Sequence, residues 1–179
     1  MNIKRIAIIG NAGSGKSTVA NQLHQILKLP VFHLDKYFWK PNWVRTDPDE
    51  YKRIHDSLCD QDEWIIDGIN LRVLEYRVQR ADIIIFLDIP RYICFWRIFK
   101  RTIKNYGKET PSSALGCPER INWEFVKFLI WVWNFKRDYP PKIIALLDRY
   151  KDSKEIHIFK SQKKIDQLRE NLKKLYENS

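Results

Sequence analysis

An α/β fold with a mostly parallel sheet, covered by helices on both faces, follows from three features of the sequence. Short continuous apolar runs alternate with segments of helical periodicity, and Gly, Pro and Asp mark the boundaries between them. The 179 residues are 44% apolar, enough chain to bury one core. No internal repeat or linker divides them, so residues 1–179 read as a single domain. Only 6 Gly and 8 Pro are present, which excludes collagen-like, low-complexity and disordered readings.

The elements follow in order. Residues 3–9 read as a short buried strand ending at Gly10. From 16 to 29, Val19, Leu23, Ile26 and Leu27 recur at helical spacing, and Pro30 stops the helix. Residues 31–34 form a second strand, followed by a loop rich in Trp and Pro (FWKPNWVRTDP). Asp47 before Pro48 is a helix start, so a helix is expected over 48–59. Residues 64–66 form a third strand closed by Asp67-Gly68, with a short helix over 71–79. DIIIFL, residues 82–87, is the clearest buried strand. Asp88 and Pro90 lead into a helix over 91–103, with Asp88 expected as its cap.

Residues 104–118 concentrate Gly, Pro, Ser and Thr and form the longest loop signal. A Trp-rich helix over 119–137 ends at Tyr139-Pro140-Pro141, and a shorter helix leads to Tyr150. Residues 156–159 read as a last strand, and a helix over 163–176 closes the chain.

Three widely spaced cysteines, Cys59, Cys94 and Cys117, make neither a CxxC pair nor a disulfide framework. The N-terminal apolar run is too short for a signal peptide, and residues 125–135 include Lys127 and are too short to span a bilayer. A cytoplasmic protein without membrane contact is the expectation. Charge is uneven. Residues 1–90 carry 12 Lys or Arg and 12 Asp or Glu, whereas residues 91–179 carry 20 and 10, so the whole net charge of +10 lies in the second half. Such a half suits a nucleic-acid backbone or one highly charged small molecule, and a solvated helix face accounts for much of residues 160–174.

The strongest motif is Gly10-Asn11-Ala12-Gly13-Ser14-Gly15-Lys16-Ser17, which fits GxxxxGK[ST] between a strand and a helix. Glycines let the backbone approach phosphate oxygens, and consecutive N–H groups at a helix start present positive potential to them. Lys16 is expected to reach the β- and γ-phosphates of ATP and Ser17 to coordinate Mg²⁺, with Thr18 beside them in the nucleotide site. A GTPase would need NKxD, which is absent, and no strand ends in the Asp-Glu pair that polarises water in motor ATPases. Transfer to an acceptor hydroxyl or phosphate is the better reading.

The phosphate loop, the Asp-Gly after the third strand and the strand-Asp-x-Pro-helix unit resemble the nucleoside-monophosphate-kinase-like group. That resemblance implies a three-layer P-loop nucleoside-triphosphate-hydrolase fold with a parallel five-stranded sheet and a helical lid region. HLDxxFWxPxW (residues 33–43), WIIDG (64–68), Leu-Asp-x-Pro and GCPER (116–120) are closer still to the adenylate-kinase-related DNA topology modulation protein (FlaR-like) family. That family's name suggests an effect on DNA supercoiling.

Roles follow from the resemblance and from residue chemistry together. Arg97 and Arg101 stand seven and eleven residues past Pro90, where adenylate kinases carry one arginine beside adenine and one on the phosphates. Four residues apart, they share a helix face. Asp67 is the candidate to hold the Mg²⁺ hydration shell with Ser17, or else it caps the following turn. Asp35, after the second strand, is expected to orient or deprotonate an acceptor hydroxyl, or else to cap a helix near Lys36. His33 reads as a packed strand residue with no evident partner. The acceptor-binding segment is expected over about 35–63 with Asp35 and Trp39, and the lid over about 104–122. Arg72 and Arg120 are further acceptor contacts, and Arg137 a further lid cation. Cys117 alone cannot make a metal site. Trp123, Trp131 and Trp133 are expected to pack, with stacking on bases or single-stranded nucleic acid the alternative, while Trp39 and Trp43 fall where this group binds its acceptor. The function expected is an ATP- and Mg²⁺-dependent phosphotransferase acting on a small acceptor, a nucleotide among the candidates. The alternative is a nucleotide-dependent DNA-associated protein that uses its basic half.

Overall fold

The computed structural model describes residues 3–110, 113–161, 164–167 and 170. The elements run β1 (Arg5–Gly10), α1 (Lys16–Leu27), β2 (Val31–His33), α2 (Asp35–Phe38), β3 (Trp39–Lys40), a 3-10 turn (Pro41–Trp43), β4 (Val44–Arg45), α3 (Pro48–Cys59), β5 (Trp64–Asp67) and α4 (Leu71–Arg80). They continue with β6 (Ile83–Leu87), α5 (Arg91–Lys104), α6 (Trp123–Asp138), α7 (Pro140–Asp148) and β7 (Glu155–Phe159). Residues 164–167 are helical, and most of the closing helix expected over 163–176 lies outside the described residues.

Strands β2, β5, β1, β6 and β7 form one sheet in that order, each pairing parallel. The apolar runs do this because both sheet faces are covered. In β1, Ile6 and Ile8 pack with Val19, Ala20 and Leu23 of α1 on one face. Ala7 and Ile9 pack on the other with Leu58 and Cys59 of α3 and Leu74 and Val78 of α4. That alternation is the period of two of an extended strand, apolar on both sides. Helix α6 serves both clusters, through Val132 in the first and Phe135 in the second.

Local signals explain the helix starts. Asp47 accepts from the amides of Asp49 and Glu50 at 3.0 and 3.1 Å, with Pro48 in the first turn, so α3 starts where its cap predicts. Asn70 caps α4 through the Arg72 amide, and Asn122 caps α6 through the Phe125 amide, so α6 starts at Trp123, four residues later than the sequence suggests. Asp88 is not the cap of α5. Its N-cap position is Pro90, without a side-chain bond, and Asp88 instead forms an ion pair with Lys136 of α6.

The segment expected to be a plain loop after β2 is ordered. It forms α2 and then the β3–β4 hairpin, with Trp39 opposite Arg45. Two-residue strands offer no periodicity to read. The turn between them holds Asn42 and Trp43 at φ +63° and +64°, a left-handed conformation unusual for a bulky side chain. The Trp43 indole N–H donates to the Pro118 carbonyl at 3.0 Å and anchors that turn.

Trp64 is fully buried on β5, and its indole N–H donates to the Cys59 carbonyl at 3.1 Å. It joins the end of α3 to the sheet. Trp64→Ala should cost about 3–5 kcal/mol of stability, from lost burial and an unfilled cavity. Denaturant unfolding checks this, and a loss under about 1 kcal/mol, no more than a surface change, would contradict the packing described.

Candidate active site

The phosphate-loop motif connects β1 to α1, and its shape is imposed by contact on several sides. Gly13 sits at φ +75°, and a Cβ there would come within 2.5 Å of the Cys94 carbonyl oxygen. Only glycine fits. Asn11 is buried, and its side-chain amide donates to the Val132 carbonyl at 2.8 Å, tying the loop to α6. Asn11, expected among nucleotide contacts, thus has a structural bond as well. The Lys16 ammonium curls back to the Asn11 carbonyl at 2.9 Å, which places it over the loop. Gly15, at φ +98°, is the N-cap of α1, and Lys16 and Ser17 begin the helix. The Ser14 hydroxyl is buried with no partner. Ser17 is half-buried and Thr18 exposed.

Two strand ends beside the loop bring acids together. Asp67 ends β5, next to β1 in the sheet, and is 3% exposed. Its Oδ1 is 3.1 Å from His33 Nδ1, and its Oδ2 is buried with no hydrogen-bond partner among the described residues. The expectation that His33 lacks a partner is therefore wrong. His33 ends β2 directly opposite Asp67 in register, which sequence separation hides. Asp67 is bonded to this neighbouring strand rather than capping the turn after it.

Asp35 opens α2. The N-cap is Leu34 and no side-chain bond caps the helix, so the capping alternative for Asp35 falls away. The residue is exposed to solvent, while protein packed around its carboxyl partly desolvates it. That crowding raises its pKa above the ordinary carboxylate value. Lys16 pulls it down, Asp67 pushes it up, and Arg101 and His33 pull it down.

Arg97 and Arg101 share the face of α5 expected of them, but their contacts differ. Arg97 lies over the phosphate loop, its Nη1 3.4 Å from the Ser14 carbonyl oxygen. Arg101 pairs with the buried Glu119 at 2.9 Å, and the Thr102 hydroxyl donates to the same carboxylate at 2.7 Å. Glu119 sits at the base of the expected lid, where Gly107 N–H donates to the Glu119 carbonyl and Glu119 N–H to that of Lys108. The lid segment also docks on the hairpin. Asn42 N–H donates to the Gly116 carbonyl at 2.8 Å, and the Cys117 thiol to that of Lys40 at 3.2 Å.

The remaining expected residues are more peripheral. Arg120 reaches Asn42 Oδ1 at 3.4 Å and so joins lid to hairpin. Arg72 is exposed in the first turn of α4, and among the described residues no side-chain contact joins it to the site. Arg137 pairs with its neighbour Asp138. Trp39 packs edge-on against Phe38 and Trp43 as part of the hairpin. On α6 Trp131 packs as expected, against Phe128, Phe135 and Tyr139, and Trp133 meets the edge of Phe95 while staying partly exposed. Trp123 and Trp133 are exposed.

Sequence reasoning missed a buried polar group below the cleft. Arg77 is fully buried, donates to the Gly68 carbonyl at 2.9 Å, and has Nε and Nη1 without partners among the described residues. Burial lowers its pKa, while Cys59, Tyr51 and Asp67 raise it. Burial likewise pushes Tyr51 up to about 12, Cys59 up to about 12 and His55 down to about 4. The signal was present: Arg77 falls between Leu74 and Val78 on the apolar stripe of α4.

This geometry can accept a triphosphate. The loop offers amides and an ammonium, and the unpaired Asp67 Oδ2 with the Ser17 hydroxyl suits the water-rich coordination of Mg²⁺. Shikimate kinase from Acinetobacter baumannii, in complex with shikimate, is similar over 97% of this chain and 92% of that one, at 14% identity and a TM-score of 0.56. Shikimate kinase from Aquifex aeolicus matches over 97% and 96%, at 18% identity and a TM-score of 0.50. The chain has the P-loop nucleoside-triphosphate-hydrolase fold. No family model matches it. The uncharacterized protein YqaC of Bacillus subtilis (strain 168) is 31% identical over 110 residues, 59% of this chain; the match spans about three fifths (61%) of that relative's length. Among the described residues no helix is long and apolar enough to cross a membrane.

Gly13→Ala should force the loop out of shape, because both the positive φ and the Cys94 carbonyl oppose a methyl group. A loss of ATP affinity of about tenfold or more is expected, roughly 1.4 kcal/mol. Equilibrium binding checks it, and unchanged affinity would show that the loop shape does not matter.

Proposed function

We propose that this chain is an ATP- and Mg²⁺-dependent phosphotransferase that passes the γ-phosphoryl group to a hydroxyl of a small acceptor. The observation that carries the reading is the convergence at the loop of Lys16, which opens α1, Asp67, which ends β5 beside β1, and Asp35, which opens α2 just past the end of β2. An ammonium on the γ-phosphate side and a carboxylate on the acceptor side are the two groups such a transfer needs. Asp35 takes the hydroxyl proton, that oxygen bonds to the γ-phosphorus, and the bond from phosphorus to the β,γ-bridging oxygen breaks, leaving ADP. Bound Mg²⁺ would neutralise charge on the phosphate oxygens, held by Ser17 and Asp67. Arg97 would lie against the nucleotide, and Arg101 would fix the lid base through Glu119. A nucleoside monophosphate is the less favoured acceptor, because its phosphate would add charge near Asp35 and Asp67, which already repel each other. Trp39, Arg72 and Arg120 remain candidate acceptor contacts around the hairpin and α4. The kinship with the topology modulation group rests on the quoted sequence motifs.

A second reading, DNA association, draws on the exposed aromatic face of α5 and α6. Trp96, Trp123 and Trp133 are exposed, Arg91 lies 4.5 Å from the Trp133 ring centre, and α5 carries five cations and no acid. Stacking rings with cations suit single-stranded nucleic acid. Labelled ATP offered with hydroxy-metabolites and nucleoside monophosphates separates the readings. Product with a hydroxyl acceptor supports the first; no product with any acceptor, together with salt-sensitive DNA binding, supports the second.

Lys16→Ala should abolish transfer while the thermal unfolding curve stays unchanged; retained turnover would remove the loop from the mechanism. Asp35→Asn should lower kcat by about 10²–10⁴-fold, with little effect on the KM for ATP. The base must be ionised to act, so wild-type kcat/KM should fall as pH drops through the raised pKa of Asp35. The Asn variant should lose that limb of the profile. A profile identical in both would refute the base role.

A further inference from the structure

The two oxygens of Asp67 have opposite fates. Oδ1 meets the imidazole of His33 at 3.1 Å, while Oδ2 is buried with no partner among the described residues. Both side chains are nearly closed off, at 13% and 4% exposure, so water does not replace this bond readily. The backbone is fixed as well. Leu34 N–H donates to the Asp67 carbonyl, and Gly68 N–H donates to that of Ile8, two residues before the phosphate loop begins. Carboxylate rotation about its last torsion remains soft with the backbone held, since that torsion is broad in any carboxylate. The His33 bond removes it.

We infer that His33 is a positioning residue for the divalent cation. Its Nδ1–H binds one oxygen of Asp67 and so leaves the other presented to the metal's water shell. The inference rests on the reading of Asp67 as the metal-side carboxylate. An unpaired buried carboxylate oxygen is costly, and a protein that spends a second buried side chain to keep it in one orientation stabilises a geometry that the bare fold does not need. Partners of metal-side groups elsewhere change affinity by about 10–100-fold when removed, which sets the scale expected here.

The test reads Mn²⁺ binding by electron paramagnetic resonance to protein saturated with a non-hydrolysable ATP analogue. His33→Leu should weaken Mn²⁺ affinity about tenfold or more, while affinity for the analogue in chelator stays unchanged. His33→Asn, whose side-chain N–H can occupy the Nδ1–H position, should recover most of the loss. Equal weakening by Leu and Asn, in variants that unfold like the wild type, would overturn the inference in favour of simple packing. Asp67→Asn separates the two levels. If it leaves Mn²⁺ affinity unchanged, the reading of Asp67 fails. If it weakens binding while both His33 variants do not, the role of His33 alone fails. Nitrogen NMR of the wild type needs no variant: a proton on His33 Nδ1 is expected, and a neutral ring with its proton on Nε2 would contradict the bond.

Discussion

A backbone loop with few side chains of its own must be held rigid by its surroundings, and the rest of the structure depends on that constraint. The turn from Gly10 to Gly15 is pressed against the Cys94 carbonyl at Gly13, bonded to α6 through Asn11, and bridged by Lys16 to its own Asn11 carbonyl. Helices α5 and α6 lie far along the chain, yet they define the shape of a turn near its start. Preorganised amides stabilise anions because they need not reorient when the charge arrives. The parallel sheet supplies the second half of the same constraint, since β5 and β2 end level with the loop and deliver their acids there.

Charge balance across the cleft follows from that convergence. Asp35 and Asp67 repel each other, and Lys16, Arg101 and His33 each offset part of the cost at Asp35. Arg77 stands on the buried side of the same strand end, bonded to the Gly68 carbonyl, and its positive charge is opposed by burial and favoured by Asp67. The acids are thus retained against electrostatic and desolvation costs that two apolar residues would avoid.

Much of this was legible in the sequence because it is local. The motif at 10–17, the cap at Asp47, the apolar runs of β1 and β6 and the break at Tyr139 each lie within a few residues. What escaped was set by register and by long-range docking. His33 and Asp67 meet only because the sheet order places β2 beside β5. Trp43 and Pro118, 75 residues apart, join the hairpin to the segment expected as a lid. Asp88 looked like a cap because its neighbours suit one, and a lysine from α6 claimed it instead. Trp123 and Trp133 were expected inside on hydrophobicity alone, but the packed stripe of α6 runs through Val132 and Phe135 and leaves them outside.

A loop built this way at the start of α1 should take up a magnesium-complexed triphosphate. Calorimetric titration of the protein with a non-hydrolysable ATP analogue, with and without Mg²⁺, reads this without any acceptor. Saturable one-to-one binding that tightens when Mg²⁺ is present is the expected result. No uptake under either condition would remove the loop as a nucleotide site.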